Sequence, residues 1–160
     1  METQDYYLKL DGIEGESVDP TMPGNIRIQS WSMCVTNAIG SKSGMEMGKS
    51  AWKTLDFTAE VERSVALLHR SCALGERIKK AVLTIRKAGQ RQQPYLIITL
   101  SDALVEHFEV GKVSDKGIPM MYFTLSFSKI ETEESEQMQT GQLGGTIKTI
   151  YVIPRGGGGA

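Results

Sequence analysis

Apolar and polar positions alternate with a period of two along most of this chain, the pattern of strands that bury one face. Leu55-Asp56-Phe57-Thr58-Ala59-Glu60-Val61-Glu62 is the cleanest amphipathic case, placing Leu55, Phe57, Ala59 and Val61 inward. Met121 to Ser128 alternates in the same way and buries Met121, Phe123, Leu125 and Phe127. Tyr6-Tyr7-Leu8-Lys9-Leu10 opens the fold and stops at the turn dipeptide Asp11-Gly12, and 15–20 reads as a loop. From Ile26 to Val35 the alternation is rough, with Ile28, Ser30 and Ser32 on one face and Gln29, Trp31 and Met33 on the other. Ala81 to Leu100 holds two β-rich runs separated by a polar reversal with Gly89 and Pro94. The second run, Tyr95-Leu96-Ile97-Ile98-Thr99-Leu100, is apolar on both faces and therefore belongs inside a packed barrel or sandwich, or between subunits.

One segment has helical spacing. Ser64 stands as an N-cap, Val65, Leu68 and Cys72 follow at i, i+3 and i+7, and Gly75 is placed to end the helix. Residues 102–110 fit a strand or a helical turn, 131–142 is polar and acidic and reads as an exposed loop, and 146–153 is a last strand. The sum is about eight strands and one short helix: an all-β barrel or sandwich. A single domain is expected over 1–155, with a Gly-rich tail at 156–160. Within it, 36–54 is a Gly/Ser/Met-rich extended loop, and loops of that length are usually functional or disordered. Met45, Met47 and Trp52 in this loop are candidate anchors for a neighbouring subunit.

Composition narrows the function. Lys and Arg number 18 against 19 Asp and Glu, and no basic block occurs, which argues against a nucleic-acid partner and a polybasic membrane anchor. The start, Met1-Glu2-Thr3-Gln4-Asp5, is unlike a secretory signal, so synthesis in the cytoplasm is expected. Cys34 and Cys72 are too few for a disulfide framework and read as reduced, buried small hydrophobes.

No constellation for catalysis, cofactor or metal survives inspection. Gly44-Met45-Glu46-Met47-Gly48-Lys49-Ser50 ends like a phosphate loop, but Ser43 stands where the first glycine is required and no helix follows. His69 and His107 lack ligands at metal spacing; His69 falls on the helix flank and His107 on a surface turn. Cys72 lies three residues from His69 but among Val65 and Leu68, where burial makes a thiol inert. Glu131, Glu133, Glu134 and Glu136 read as a solvated surface. The residues alone leave three classes open: a structural assembly subunit, a monomeric barrel that binds a small ligand, and a small hydrolase.

Several segments together resemble the Hcp family, the haemolysin-coregulated tube proteins of type VI secretion systems. The matching residues are Tyr6-Tyr7-Leu8-Lys9-Leu10 with Gly15-Glu16-Ser17, Ile28-Gln29-Ser30-Trp31-Ser32, and Leu55-Asp56-Phe57-Thr58. They continue in Leu83-Thr84-Ile85-Arg86-Lys87-Ala88-Gly89 and Tyr95 to Leu100, while the last third matches by strand pattern. The chain departs after Ser32, where many relatives carry a second Trp and a Gly and this one has Met33 and Cys34. The resemblance implies a compact β-barrel of two antiparallel sheets flanked by a helix and closing into a six-membered ring, as in the similar tubes of phage tails. Rings would stack into a hollow tube within a contractile sheath, tipped by a spike, and be expelled into target cells carrying small effector proteins. It implies export without a signal peptide and no enzymatic activity. On that reading Ser30 and Ser32 are the candidates for the lumen wall, and Met45, Met47 and Trp52 for the subunit or ring contact.

Overall fold

The computed structural model describes residues 4–38, 49–87, 93–137 and 143–153. The elements run β1 (Gln4–Leu10), β2 (Ile26–Ile28), β3 (Ser30–Ala38), β4 (Lys49–Glu60), α1 (Val65–Leu74), β5 (Arg77–Lys87), β6 (Pro94–Val113), β7 (Pro119–Ser126), β8 (Lys129–Gln137) and β9 (Leu143–Val152). All nine strands are antiparallel members of one sheet, ordered β2-β1-β5-β6-β7-β4-β3, with β8 on β6 and β9 on β8. Only Gln29 separates β2 from β3, and its amide donates to the Thr58 carbonyl at 2.8 Å. The two ends of the path are therefore one bent strand that pairs first with β1 and then with β4, and the sheet closes into a barrel.

β6 solves the same problem on the opposite wall. Its first part pairs with β5 on one side and β8 on the other, and its second part pairs with β7. The corner is Asp102, whose φ of 51° lies in the left-handed region. Arg77 Nη1 donates to the Asp102 carbonyl at 3.4 Å, and Ser128 Oγ donates to the Asp102 carboxylate at 3.3 Å. Both spellings of 102–110 considered from sequence thus resolve to strand.

The barrel interior is filled by the alternate residues the pattern selected. Leu55, Phe57, Ala59, Met121, Phe123 and Leu125 are fully buried, Phe127 nearly so, and the Phe57 and Phe123 rings stack at 5.2 Å. Each large side chain buried in this way stabilises the fold by about 1.5–3 kcal/mol. Ile26, Ile28, Leu8, Leu83, Ile85, Ile98 and Leu100 complete this core. α1 packs on β6 through Leu68, with Val65 and Cys72 half-buried against the same core.

Several expectations are corrected. Val61 is exposed because β4 ends at Glu60. The face shared by Ile28, Ser30 and Ser32 does not exist: the bend at Gln29 turns the chain over, so Ile28 is buried, Ser30 and Ser32 are exposed, and Trp31 packs on the core. Cys34 is exposed, at a register shift between Met33 and Val35. The acidic run is not a loop but β8, where Ile130 is buried and Glu131 meets Lys148 of β9 at 2.6 Å. His107 lies within β6 rather than on a turn. The segment 36–54 is shorter as a connection than its composition implied: Thr36 pairs with Ala51 and Ala38 with Lys49, leaving 39–48 outside the described residues.

The helix ends divide in the same way. Gly75 adopts φ 65° and its amide and that of Glu76 return to Cys72 and Ser71, as a C-terminal glycine does. Ser64 makes no side-chain cap, because it already has helical angles rather than the extended ones a capping side chain needs. The amides are served by two carboxylates instead: Ser64 donates to Glu62 at 3.2 Å and Arg63 to Glu16 at 2.8 Å.

Gly15 sits where the loop 14–24 crosses β2. A Cβ there would lie 2.4 Å from the Asn25 carbonyl oxygen and 2.7 Å from the Ile26 amide nitrogen, both backbone atoms. Gly15→Ala is expected to destabilise the fold by about 1–3 kcal/mol, as overpacking does, read as a lower urea midpoint. An unchanged midpoint would show that the crossing relaxes freely.

Candidate functional site

The strongest polar constellation is one the sequence did not mark. Arg86 is among the largest fully buried side chains, yet it lies on the outer face of the barrel wall, under the loop 14–24. β5 alternates Leu83 and Ile85 into the core with Thr84 and Arg86 outward, and these outward residues are buried too. Asp5 stands directly opposite Arg86 in the β1–β5 ladder, with Oδ2 3.7 Å from Nε. From above, Asp19 takes both guanidinium ends: Nη2 donates to Oδ2 at 2.5 Å and Nη1 to Oδ1 at 3.3 Å. Nη1 also donates to Thr21 Oγ1 at 2.7 Å, and the guanidinium carbon lies 4.8 Å over the Tyr7 ring.

The Arg86 hydrogen bonds, followed by those of the Thr21 hydroxyl and amide, hold the Asp19 carboxyl well below its ordinary range. Arg86 is correspondingly raised, first by its bond to Asp19. Beside this clamp an open cleft of about 1130 Å³ carries Asp5, Glu16, Asp19, Glu60 and Glu62 against Arg27 and Lys116. Four of these carboxylates are engaged in structure: Asp19 and Asp5 by Arg86, Glu62 by the Glu16 and Ser64 amides, and Glu16 by the Arg63 amide. The arrangement fixes the loop 14–24 over β5.

Among the described residues, no group of three or more His, Cys, Asp and Glu side chains could hold a metal ion. His69 is exposed and stacks on Phe108 at 5.9 Å. His107 Nε2 donates to Glu109 Oε1 at 3.0 Å, which lowers the Glu109 pKa, with Lys112 adding to the effect. Cys72 is half-buried on the helix.

Of the candidate assembly residues, Ser30, Ser32 and Trp52 fall on the β3–β4 pair. Ser30 and Ser32 lie opposite Thr58 and Asp56, so they share the outward face of the β3–β4 pair with those residues. Ser32 Oγ donates to Asp56 at 3.5 Å, and Thr54 Oγ1 donates to the other Asp56 oxygen at 2.9 Å. Trp52 belongs to β4, where its backbone pairs with that of Val35. Met45 and Met47 lie outside the described residues, as do Gly89 and the tail 156–160. The β3–β4 pair continues past the end of the β4–β7 pairing at Leu55, so its far part stands off the barrel as a two-stranded ribbon. Among the described residues β8 and β9 make a second pair, joined to the barrel by the ladder of β8 with β6 and by Ile130 in the core.

This fold and its surfaces have counterparts. A family model described as "Type VI secretion system effector, Hcp" matches residues 7–133. The chain belongs to the Hcp family. It is 32% identical over 148 residues to Protein hcp1 of Pseudomonas aeruginosa, covering 90% of this chain and 91% of that one. The Hcp fold is shared with the crystal structure of Hcp1 from Salmonella typhimurium at a TM-score of 0.80 and 30% identity, over 96% of each chain. A type VI secretion effector from Yersinia pestis shares the fold at a TM-score of 0.75 and 24% identity, over 93% of this chain and all of that one. Hcp membership makes this a type VI secretion protein of a structural tube family rather than an enzyme family. No helix of the described residues is long and apolar enough to cross a membrane.

The clamp gives a pH signature. A carboxyl whose folded pKa is depressed contributes its full stability above the unfolded value, and loses it as pH falls towards the folded one. Asp19→Asn should therefore lower the urea midpoint at pH 7. The gap to the parent should stay constant down to about pH 4 and narrow below it. A gap that does not change between pH 7 and pH 2 would show that the Asp19 charge does not matter.

Proposed function

We propose that this protein is the structural subunit of the type VI inner tube: six copies close into a ring, and rings stack into a hollow conduit. The conduit lies inside the contractile sheath behind a spike. On firing it leaves the cytoplasm for the target cell or the medium, without a signal peptide, carrying small effector proteins in its lumen. The observation that carries this reading is the pairing of Hcp membership with a packed, closed barrel from which two ribbons project. A barrel filled by Phe57, Phe123 and their neighbours favours a wall over a ligand-binding interior.

The surfaces support separate roles. Ser30 and Ser32, with Thr58 and Asp56 beside them, form a patch of small polar groups suited to the lumen wall, where a passing protein must not adhere strongly. The β3–β4 ribbon and the segment beyond it, with Met45, Met47 and Trp52, serve the subunit or ring-to-ring contact. Contacts within a ring are heterologous and close by rotation, and those between rings are smaller, since a delivered tube must come apart.

Native mass spectrometry and negative-stain imaging of the purified protein test the assembly, with hexamers and annular particles expected. Trp52→Ala should shift the population towards folded monomer; an unchanged ring mass would remove Trp52 from the contact. Ser32→Gln should leave rings intact while changing the amount of effector co-purified. Loss of rings, or unaltered retention, would place Ser32 elsewhere than the lumen.

A further inference from the structure

Among the described residues three strands pair on one side only: β2 with β1, β3 with β4 and β9 with β8. β2 is three residues long and carries the exposed Arg27, which leaves β3 and β9 as the long unguarded edges. We infer that the free edge of β9 in one subunit lies along the free edge of β3 in the next. This deepens the ring reading and rests on it.

Unpaired strand edges recruit other strands, and proteins that stay monomeric guard them with charges, prolines or covering elements. Here the guards are missing from the edges that need them. β3, SWSMCVTNA, contains neither a charge nor a proline. β9, LGGTIKTIYV, contains one charged residue, Lys148, whose ammonium is drawn back onto Glu131 of β8 at 2.6 Å. The acidic residues of this region lie instead on β8, which is flanked on both sides, by β6 and β9.

The side chains along the two edges agree with the backbone. Ile147, Ile150 and Val152 are 70%, 55% and 62% exposed, and because Ile147 and Ile150 point to opposite faces, both faces of β9 offer aliphatic surface. On β3, Met33 and Val35 are exposed as well, and Cys34 lies between them at the register shift. β3 carries no charge and β9 a single one engaged by Glu131, both expose aliphatic side chains, and the two edges belong to different strands. A contact between them is head-to-tail, the kind that closes a ring rather than a two-fold dimer. Each copy would bring one edge and receive the other, as in strand addition to a sheet edge.

Native Cys34 makes the inference testable. Adjacent strands place facing Cα atoms ~4.5–5.5 Å apart, inside the ~4.4–6.8 Å range that a disulfide spans. In a Cys72→Ala background, single cysteines are placed in turn at every position from Ile147 to Val152, and the assembled protein is treated with a mild oxidant. At least one position should give a covalent ladder running from dimer to closed ring on a non-reducing gel, and Cys34→Ala should abolish it. Wild-type rings with no ladder at any position would overturn the β3–β9 contact while leaving the tube reading intact. A wild-type chain that is strictly monomeric at high concentration would overturn both.

Discussion

A sheet can close on itself only if its last strand finds its first, and in this protein that closure depends on a change of partner within single strands. Gln29 is one such point: the chain leaves β1, turns over, and joins β4. Asp102 is the other, where β6 passes from its pairing with β8, which ends at Ser101, to its pairing with β7, which begins at Leu104. Straight strands would leave an open, twisted sheet with its apolar face uncovered. The two bends bring Phe57, Phe123, Leu83 and Ile98 into one interior, and every other feature is built on that wall.

The buried Arg86 fits the same frame. A barrel has an outside as well as an inside, and the outer face of β5 is covered by a loop with little hydrophobic content of its own. The loop is fixed by charge and hydrogen bonds, with Asp19, Thr21 and Asp5 around one guanidinium and the Tyr7 ring beneath it. An ion pair of this kind adds less to net stability than its Coulomb energy implies, because both groups lose water. What it supplies is a single geometry for the loop, together with the Glu62 and Glu16 carboxylates, which accept from the Glu16 and Arg63 amides ahead of the helix.

Much of this was legible in the residues. Strict alternation gave the β4 and β7 cores, Gly75 gave the helix end, and the ordered segments from Tyr6 to Leu100 pointed to the Hcp family. What failed has a common physical cause. Alternation assumes a strand keeps one face inward, and the bend at Gln29 reverses it, which wrongly grouped the buried Ile28 with the exposed Ser30 and Ser32, while residue type alone had Cys34 buried. Polarity stood for loop at Glu131–Glu136, although a hairpin standing off the barrel can carry charges on its faces. Arg86 was invisible because nothing local distinguishes an arginine in a strand whose outer face is covered by a loop almost seventy residues earlier, at Asp19.

The ladder between β1 and β5 has a further consequence, in time rather than space. Gln4 pairs with Lys87, so the ladder of β1 with β5 cannot be completed until 83 further residues have been made. At synthesis rates of ~5–20 residues per second, the wait is roughly 4–17 s. Closure must wait longer still, for β7, and β9 is made after it. The order of manufacture thus runs from wall to edge: the barrel can be sealed before β9 exists. A chain emerging beside its siblings completes its own core first and acquires the edge of β9 afterwards.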